Sequence, residues 1–233
     1  MEKIKIVCIS DTHLQVTDSF YLPEADILIH TGDFCSSGKL EDFIKYCSWL
    51  EKFKYKYSKI LQIAGNHDWI AEKNESLLRD EFFSRFGEKL VYLKDEAFRF
   101  KGINFYGTPM QPIFQNWAFN RSEKELENYF SKIPESTDIL LTHCPPYEIL
   151  DKVFYRGINV GSISLLNKVK EVKPKVHIFG HIHECYGSVK REGTLFINAS
   201  ICDLEYQANN KPIMLEYGKS ISILNIRKRK DCF

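Results

Sequence analysis

The chain has no C-x-x-C pair, no surplus of either charge and no apolar run long enough to cross a bilayer, and each absence excludes a class of protein. Its seven cysteines, at 8, 35, 47, 144, 185, 202 and 232, are odd in number and irregular in spacing. That pattern suits free thiols in a reducing compartment rather than a disulfide framework. Cys8 lies in a strand-like run and Cys47 on a helical apolar stripe, so both read as small buried hydrophobes. Thirty-two basic and 31 acidic residues leave a formal net charge of +1, whereas a protein that grips long nucleic acid shows a basic surplus. Near the N-terminus the run Ile6 to Ile9 stops at Asp11, too short for a signal segment or a membrane span. The expectation is a cytoplasmic protein with neither a membrane nor a long nucleic acid as partner. No repeat, low-complexity tract or linker divides the sequence, so residues 1–226 are expected to form one domain. Residues 227–233 follow as a tail whose basic run, Arg227 to Lys230, reads as solvated.

What is present is a large apolar fraction, 44% of 233 residues, enough to bury a core without staples. Five short apolar runs are each followed directly by residues able to hold a divalent metal. Ile4 to Ile9 leads to Asp11-Thr12-His13, Ile27 to Ile29 to Gly32-Asp33, and Ile60 to Ala64 to Gly65-Asn66-His67-Asp68. Ile139 to Leu141 leads to Thr142-His143, and Val176 to Phe179 to Gly180-His181-Ile182-His183. β-Branched runs of this length read as strands, and the loops beyond them are free to aim side chains at a common rim. Between the strands, Leu40, Phe43, Ile44, Cys47, Leu50 and Phe53 recur at helical spacing. A second helix is expected over Glu75 to Phe86 with Leu77, Leu78, Phe82 and Phe83 inward, stopped at Gly87. Ser122 and Glu125 form a capping box for a helix over Glu123 to Lys132, and a further helix is expected near Ser162 to Val172. Short strands are expected at Leu90 to Leu93, Ala97 to Phe100 and Ile103 to Tyr106. Closing strands follow at Leu195 to Asn198, Ile213 to Glu216 and Ser220 to Ile226. The irregular stretch from Gly107 to Arg121 has the length of a functional loop.

Carboxylate, imidazole and amide oxygen together suit manganese, iron or zinc, whereas a structural zinc site recruits thiolates. A carboxylate shared by two cations gives the two-metal arrangement that clamps displacement at phosphorus, and Asp33 is the natural bridge. Two dications balanced by Asp11, Asp33 and a bridging hydroxide would keep roughly one positive charge for a phosphate oxyanion. His67, one residue past Asn66, is placed to protonate the departing oxygen.

The five blocks, in this order, resemble the signature of the calcineurin-like metallophosphoesterase superfamily: D-x-H, G-D, G-N-H-[D/E], H and G-H-x-H. The resemblance implies that Asp11, His13 and His183 hold one metal ion, that Asn66, His143 and His181 hold the other, and that Asp33 bridges them. It also makes His67 the acid and transition-state stabiliser. A closer likeness, to the metallophosphoesterase-domain-containing subfamily, runs through Ile29 to Phe34, Asn116 to Asn120, Thr142 to Pro146, Phe179 to Glu184 and Ile197 to Ser200. It departs at Cys144, where glycine would be expected. This likeness implies a metal-dependent phosphodiesterase for small substrates such as cyclic nucleotides, with manganese as the activating ion. The implied fold is α/β, a four-layer α-β-β-α sandwich of two mixed β-sheets flanked by helices, with a dinuclear site at one rim.

Phe34, Trp117, Asn120 and Arg121 could line a substrate pocket, an aromatic face beside amide and guanidinium donors. His30 and His177 stand inside strand patterns and read as hydrogen-bonded core residues, Asp68 as an orienting residue and Asn198 as the end of a strand. Rival functions are a nuclease or a phosphomonoesterase with the same metal chemistry, or a low-turnover binding scaffold. About 50 residues follow His183, little room for a DNA-binding cap. No ligand is missing, as a mere scaffold would allow. The acid and arginine that protein phosphatases carry after G-D are replaced here by Phe34 to Gly38.

Overall fold

The structure, a computed structural model, describes residues 3–225. The first half lays down β1 (Ile4–Ile9), β2 (Ile27–Thr31), α1 (Leu40–Glu51), β3 (Lys59–Ile63), α2 (Trp69–Lys73), α3 (Glu75–Phe86), β4 (Leu90–Tyr92), β5 (Glu96–Phe100) and β6 (Ile103–Thr108). Two-residue strands β7 (Gln111–Pro112) and β8 (Asn120–Arg121) pair within the long loop, before α4 (Glu123–Ser131) and β9 (Ile139–Thr142). A small hairpin, β10 (Lys152–Val153) and β11 (Ile158–Asn159), precedes α5 (Ile163–Val172). The chain closes with β12 (Val176–Phe179), β13 (Gly187–Arg191), β14 (Thr194–Asn198), β15 (Ile213–Tyr217) and β16 (Ile221–Ile223).

Two six-stranded sheets result, in the orders β16-β15-β1-β2-β3-β4 and β13-β14-β12-β9-β6-β5. In each, the ligand-bearing strands run parallel; antiparallel strands close both sides of the second sheet and the β15–β16 side of the first, whose other edge, β4, is parallel to β3. Because side chains alternate across a strand, each sheet is apolar on both faces. Ile6, Cys8, Ile29 and Ile63 meet Ile139, Leu141, Ile178 and Ile197 in the layer between the sheets. The outward residues Val7, Leu28 and Ile60 pack with Phe43, Leu50 and Phe82 of the helices, and Leu140 and Phe196 with Phe130, Leu165 and Val169. This is the expected α-β-β-α sandwich of two mixed sheets flanked by helices. Parallel strands finish on the same side, so β1, β2, β3, β9 and β12 deliver their loops to one rim.

The helices differ from expectation in which residues turn inward. On α1 the buried residues are Phe43, Tyr46, Cys47, Trp49 and Leu50, while Leu40 is exposed. On α3 they are Leu78, Phe82 and Phe86, a clean four-residue stripe that leaves Leu77 and Phe83 in solvent. Helix α2 and strand β13 were not expected. The first is five residues long and the second has Val189 as its only branched apolar residue, so neither carries a periodic signal. The anticipated helix start at Ser122 is present as a complete capping box: its hydroxyl accepts from Glu125 N–H while Glu125 accepts from Ser122 N–H. Ser122→Ala is expected to cost about 1 kcal/mol in urea unfolding, with the slope unchanged. The basic tail, Cys232 and the end of the last expected strand lie outside the described residues.

Candidate metal centre

At the rim, the chain turns abruptly after each strand. Asp11, His13, Asp33 and His181 all adopt left-handed backbone (φ 50°, 44°, 57° and 69°), a conformation costly for residues with a Cβ and concentrated at functional sites. Two glycines let the turns close. A Cβ at Gly180 would collide with Asp11 Oδ2 and Ser10 Oγ, and one at Gly65 with Asp33 Oδ1 and the His143 ring. The glycines in G-N-H-D and G-H-x-H are therefore there for close approach of the carboxylates.

Three groups of ligand atoms form, each within 4.8 Å internally; two match the expected metal positions, Asp11, His13 and His183, and Asp33, His143 and His181, while the third joins His13, Asp33 and His67. His183 Nε2 lies 3.4 Å from Asp11 Oδ1 and 3.3 Å from His13 Nε2. His143 Nε2 lies 3.0 Å from Asn66 Oδ1 and 3.4 Å from Asp33 Oδ2. That same Asp33 oxygen is 3.7 Å from His13 Nε2, so one carboxylate oxygen faces both groups. Its other oxygen accepts the His67 backbone N–H at 2.7 Å. The seven residues expected as ligands are thus brought together, from loops up to 172 positions apart (11 to 183).

The surrounding shell fixes how these atoms point. His143 Nδ1 meets Thr31 O and His183 Nδ1 meets Asp203 O, both at 2.9 Å. A nitrogen that donates to a carbonyl leaves the opposite nitrogen to act as a ligand. Asp11 is gripped by Ser200 Oγ (2.9 Å) and the His181 N–H. Asp68 is the orienting residue its position suggested: buried, it accepts from the backbone N–H of Asp33, Cys35 and Gly65 at 2.7–2.8 Å. Burial beside Asp33 pushes its carboxyl well above the usual range. His30 bonds Thr12 and the Gly32 N–H, and His177 bonds Thr142, so both are core residues behind the rim. Asn198 accepts from Ser200 N–H and donates to Ile182 O, ending its strand.

Burial raises the carboxyl of Asp11, but the surrounding imidazoles, His183 foremost, outweigh it and hold it well below its ordinary range. Asp33 is lowered in the same way, chiefly by His143. Burial pushes His13 down to about 4 and His181 to about 3, so both are neutral and ready to coordinate. His143 resists the same burial because Asp33 holds its proton, up to about 9. Two carboxylates, four imidazoles, two of them preset by backbone carbonyls, and an amide oxygen are a donor set for first-row dications. A proton on His143 must leave before a metal can bind, so affinity is expected to rise with pH and level off above about 9, by up to about tenfold per unit. Calorimetry at pH 7 in buffers of different ionisation enthalpy should register proton release on metal uptake. The same raised value stabilises the metal-free fold below about pH 6.5, a contribution lost as pH rises to about 9.

The centre opens onto a cleft of about 580 Å³ whose floor includes Asp33, Asn66, His67, His181 and His183. His67 donates Nδ1–H to Ser36 O at 2.7 Å, its ring stacked on Trp117 (centroids 4.2 Å apart) and set edge-on to His13. Of the four residues expected to line a pocket, only Trp117 does so. Phe34 lies wholly in the core, stacked on Tyr46, because the left-handed turn at Asp33 sends it behind the sheet. Asn120 instead ties the loop through Phe114 O and Gln115 O, and Arg121 pairs with Glu72. Tyr206, whose ring lies 4.9 Å from His13 and 5.2 Å from His183, was missed. It sits in the irregular loop after β14, too far past the strand end for the strand to point to it. Cys144, the departure from the subfamily pattern, is buried at the edge of the cleft.

A family model described as calcineurin-like phosphoesterase matches residues 4–185, from the first strand through both histidines of G-H-I-H. The chain belongs to the calcineurin-like phosphoesterase family. It is 36% identical over 233 aligned residues to metallophosphoesterase domain-containing protein 1 of Homo sapiens, covering 91% of this chain and 70% of the human one. It is 32% identical over 231 residues to UPF0046 protein C25E10.12 of Caenorhabditis elegans, covering 92% and 81%. Among solved structures, TT1561 of Thermus thermophilus superimposes with a TM-score of 0.67 at 12% identity, over 97% of this chain and all of that one. At that identity the likeness speaks to the fold alone. A calcineurin-like phosphoesterase is a phosphoester hydrolase that works with divalent metal ions, and the Asp and His cluster at this rim is its candidate site. No helix among the described residues is long and apolar enough to cross a membrane.

Proposed function

We propose that this phosphoesterase is a phosphodiesterase for small substrates, cyclic nucleotides among them, working in the cytoplasm with manganese as its activating ion. The observation that carries the reading is the single Asp33 oxygen facing both ligand groups, with the His67 ring beside it on the floor of the same cleft. Asp11, His13 and His183 would hold one ion, Asn66, His143 and His181 the other, and Asp33 both. When bound, such a pair neutralises phosphoryl charge and acidifies coordinated water. The chain's own residues supply the rest. With Nδ1–H retained by Ser36 O, His67 can pass a proton from Nε2 to the departing oxygen. Trp117, stacked on the ring, and His13, edge-on to it, restrain its orientation. Any ester with a basic leaving oxygen benefits from that proton, and the cleft has room for the second group that a diester carries. Cys8, Cys35, Cys47, Cys144 and Cys202, all free and buried, suit a reducing compartment.

The test is a panel of an aryl monoester, an aryl diester, and 2′,3′- and 3′,5′-cyclic nucleotides, each with manganese, iron or zinc. Turnover of the diester is expected to exceed that of the monoester, to vanish in chelator and to return when manganese is restored. Equal rates on the two aryl esters would remove the diesterase assignment, and turnover that survives metal stripping would remove the mechanism.

A further inference from the structure

Fourteen large apolar side chains are exposed among the described residues, and their distribution is uneven. Ile113, Phe114, Tyr155, Leu204 and Tyr206 all line the mouth of the cleft above the metal centre. They come from three loops: the segment between β7 and β8, the β10–β11 hairpin, and the stretch after β14. Phe154 and Ile158, also exposed, flank the same hairpin. Tyr155 is 76% and Phe114 48% exposed, so neither contributes much to holding the fold. Exposed apolar residues scattered singly need no explanation, but a contiguous set around a polar site marks a binding surface. Polar groups are few by comparison. Away from the metal floor, the polar lining is Gln115, Arg156 and Glu184. Arg156 lies 5.2 Å above the Tyr155 ring, and Glu184 accepts from the Phe154 N–H. One cation and one anion at the mouth leave no net charge for a second phosphate or a polyanion. The collar is continuous with the floor, so whatever fills it is attached to the phosphorus being attacked.

We infer that the collar formed by Phe114, Tyr155 and Leu204 is a subsite for a bulky, uncharged, mainly apolar group esterified to the phosphate, and that this group sets substrate choice. The inference rests on the phosphodiesterase reading above and adds what the second ester group must be. A flat aromatic group seated in the collar would meet the exposed rings of Phe114 and Tyr155 by face or edge. A methyl group would leave those contacts unmade and the collar wet. Charged groups of similar size would lose their hydration against apolar walls, with only Arg156 or Glu184 at the mouth to pair with them.

The experiment compares p-nitrophenyl diesters that share one leaving group and differ in the retained group: methyl, phenyl, naphthyl and carboxyphenyl. In the manganese-loaded enzyme kcat/KM is expected to rise about tenfold or more from methyl to phenyl, to rise further for naphthyl, and to fall for carboxyphenyl. Tyr155→Ala and Phe114→Ala should each compress the phenyl-to-methyl ratio severalfold. Tyr55→Ala is the control: 84% exposed, it lies at the opposite rim beside the start of β1, and should leave both the ratio and the activity unchanged. A ratio that is flat across the series, or that survives both collar substitutions, overturns the subsite. No turnover of any diester overturns the phosphodiesterase reading instead, so the two failures are distinguishable.

Discussion

His67→Ala is expected to lower kcat by about 10² to 10⁴-fold on a diester that expels an alkoxide, and far less on one that expels p-nitrophenolate. The asymmetry follows from what His67 can reach. Its ring is fixed by Ser36 O at Nδ1 and by Trp117 on one face, and it lines the cleft rather than closing either ligand group. A proton delivered there helps only a departing oxygen that is strongly basic, and p-nitrophenolate leaves without it. Its ring also comes near Asp33 and His13, close enough for the three ligand atoms to fall within 4.8 Å. Metal content therefore has to be measured with the rates. An acid leaves two ions per chain in place when removed, whereas a ligand does not. Equal loss on both leaving groups with metal intact would reassign His67 to electrostatic stabilisation, and unchanged rates would remove it from the mechanism. His67→Gln should recover little on the alkoxide substrate, because an amide donates a hydrogen bond but no proton.

The ligand set was legible because each member follows a strand, and strands announce themselves by β-branched runs. Parallel pairing then does the assembling: β1, β2 and β3 in one sheet and β9 and β12 in the other end on the same side. What the residues could not announce was orientation within loops. Phe34 and Asp33 are neighbours in sequence, yet a left-handed φ at Asp33 puts one side chain in the core and the other at the centre of the site. Asn120 and Arg121 have the right chemistry for a substrate contact but are engaged by Phe114 O, Gln115 O and Glu72. Tyr206 and the apolar collar come from irregular segments that carry no period, so only their convergence in space reveals them. On the helices, composition marked the elements but not the buried face. Leu77 and Phe83 are as apolar as Leu78 and Phe82, and only the four-residue stripe ending at Phe86 decides which pair turns inward.

Asp33→Asn should abolish metal-dependent turnover while leaving the protein folded, and it is the change that both ligand groups feel together. The asparagine keeps the shape and can still accept the His67 N–H through its oxygen, so the turn at 33 has no steric reason to open. The charge is what disappears. In the metal-free protein Asp33 is the chief reason His143 holds its proton up to about 9. Without it burial weighs more heavily on His143, so the part of the proton release on metal uptake that comes from His143 should shrink, while His183, held up by Asp11, keeps its share. With one carboxylate instead of two around four imidazoles and an amide, the affinity for a pair of dications falls. A ligand present at a hundredfold excess over its Kd stabilises the native state by about 2.7 kcal/mol, and that increment should be missing from the variant's thermal unfolding in manganese. Asp11→Asn is the comparison, since among the candidate ligand atoms the Asp11 carboxylate clusters only with those of His13 and His183 and should cost one ion per chain rather than both. Retention of two manganese ions and near-normal turnover in Asp33→Asn would show that no shared carboxylate organises this centre.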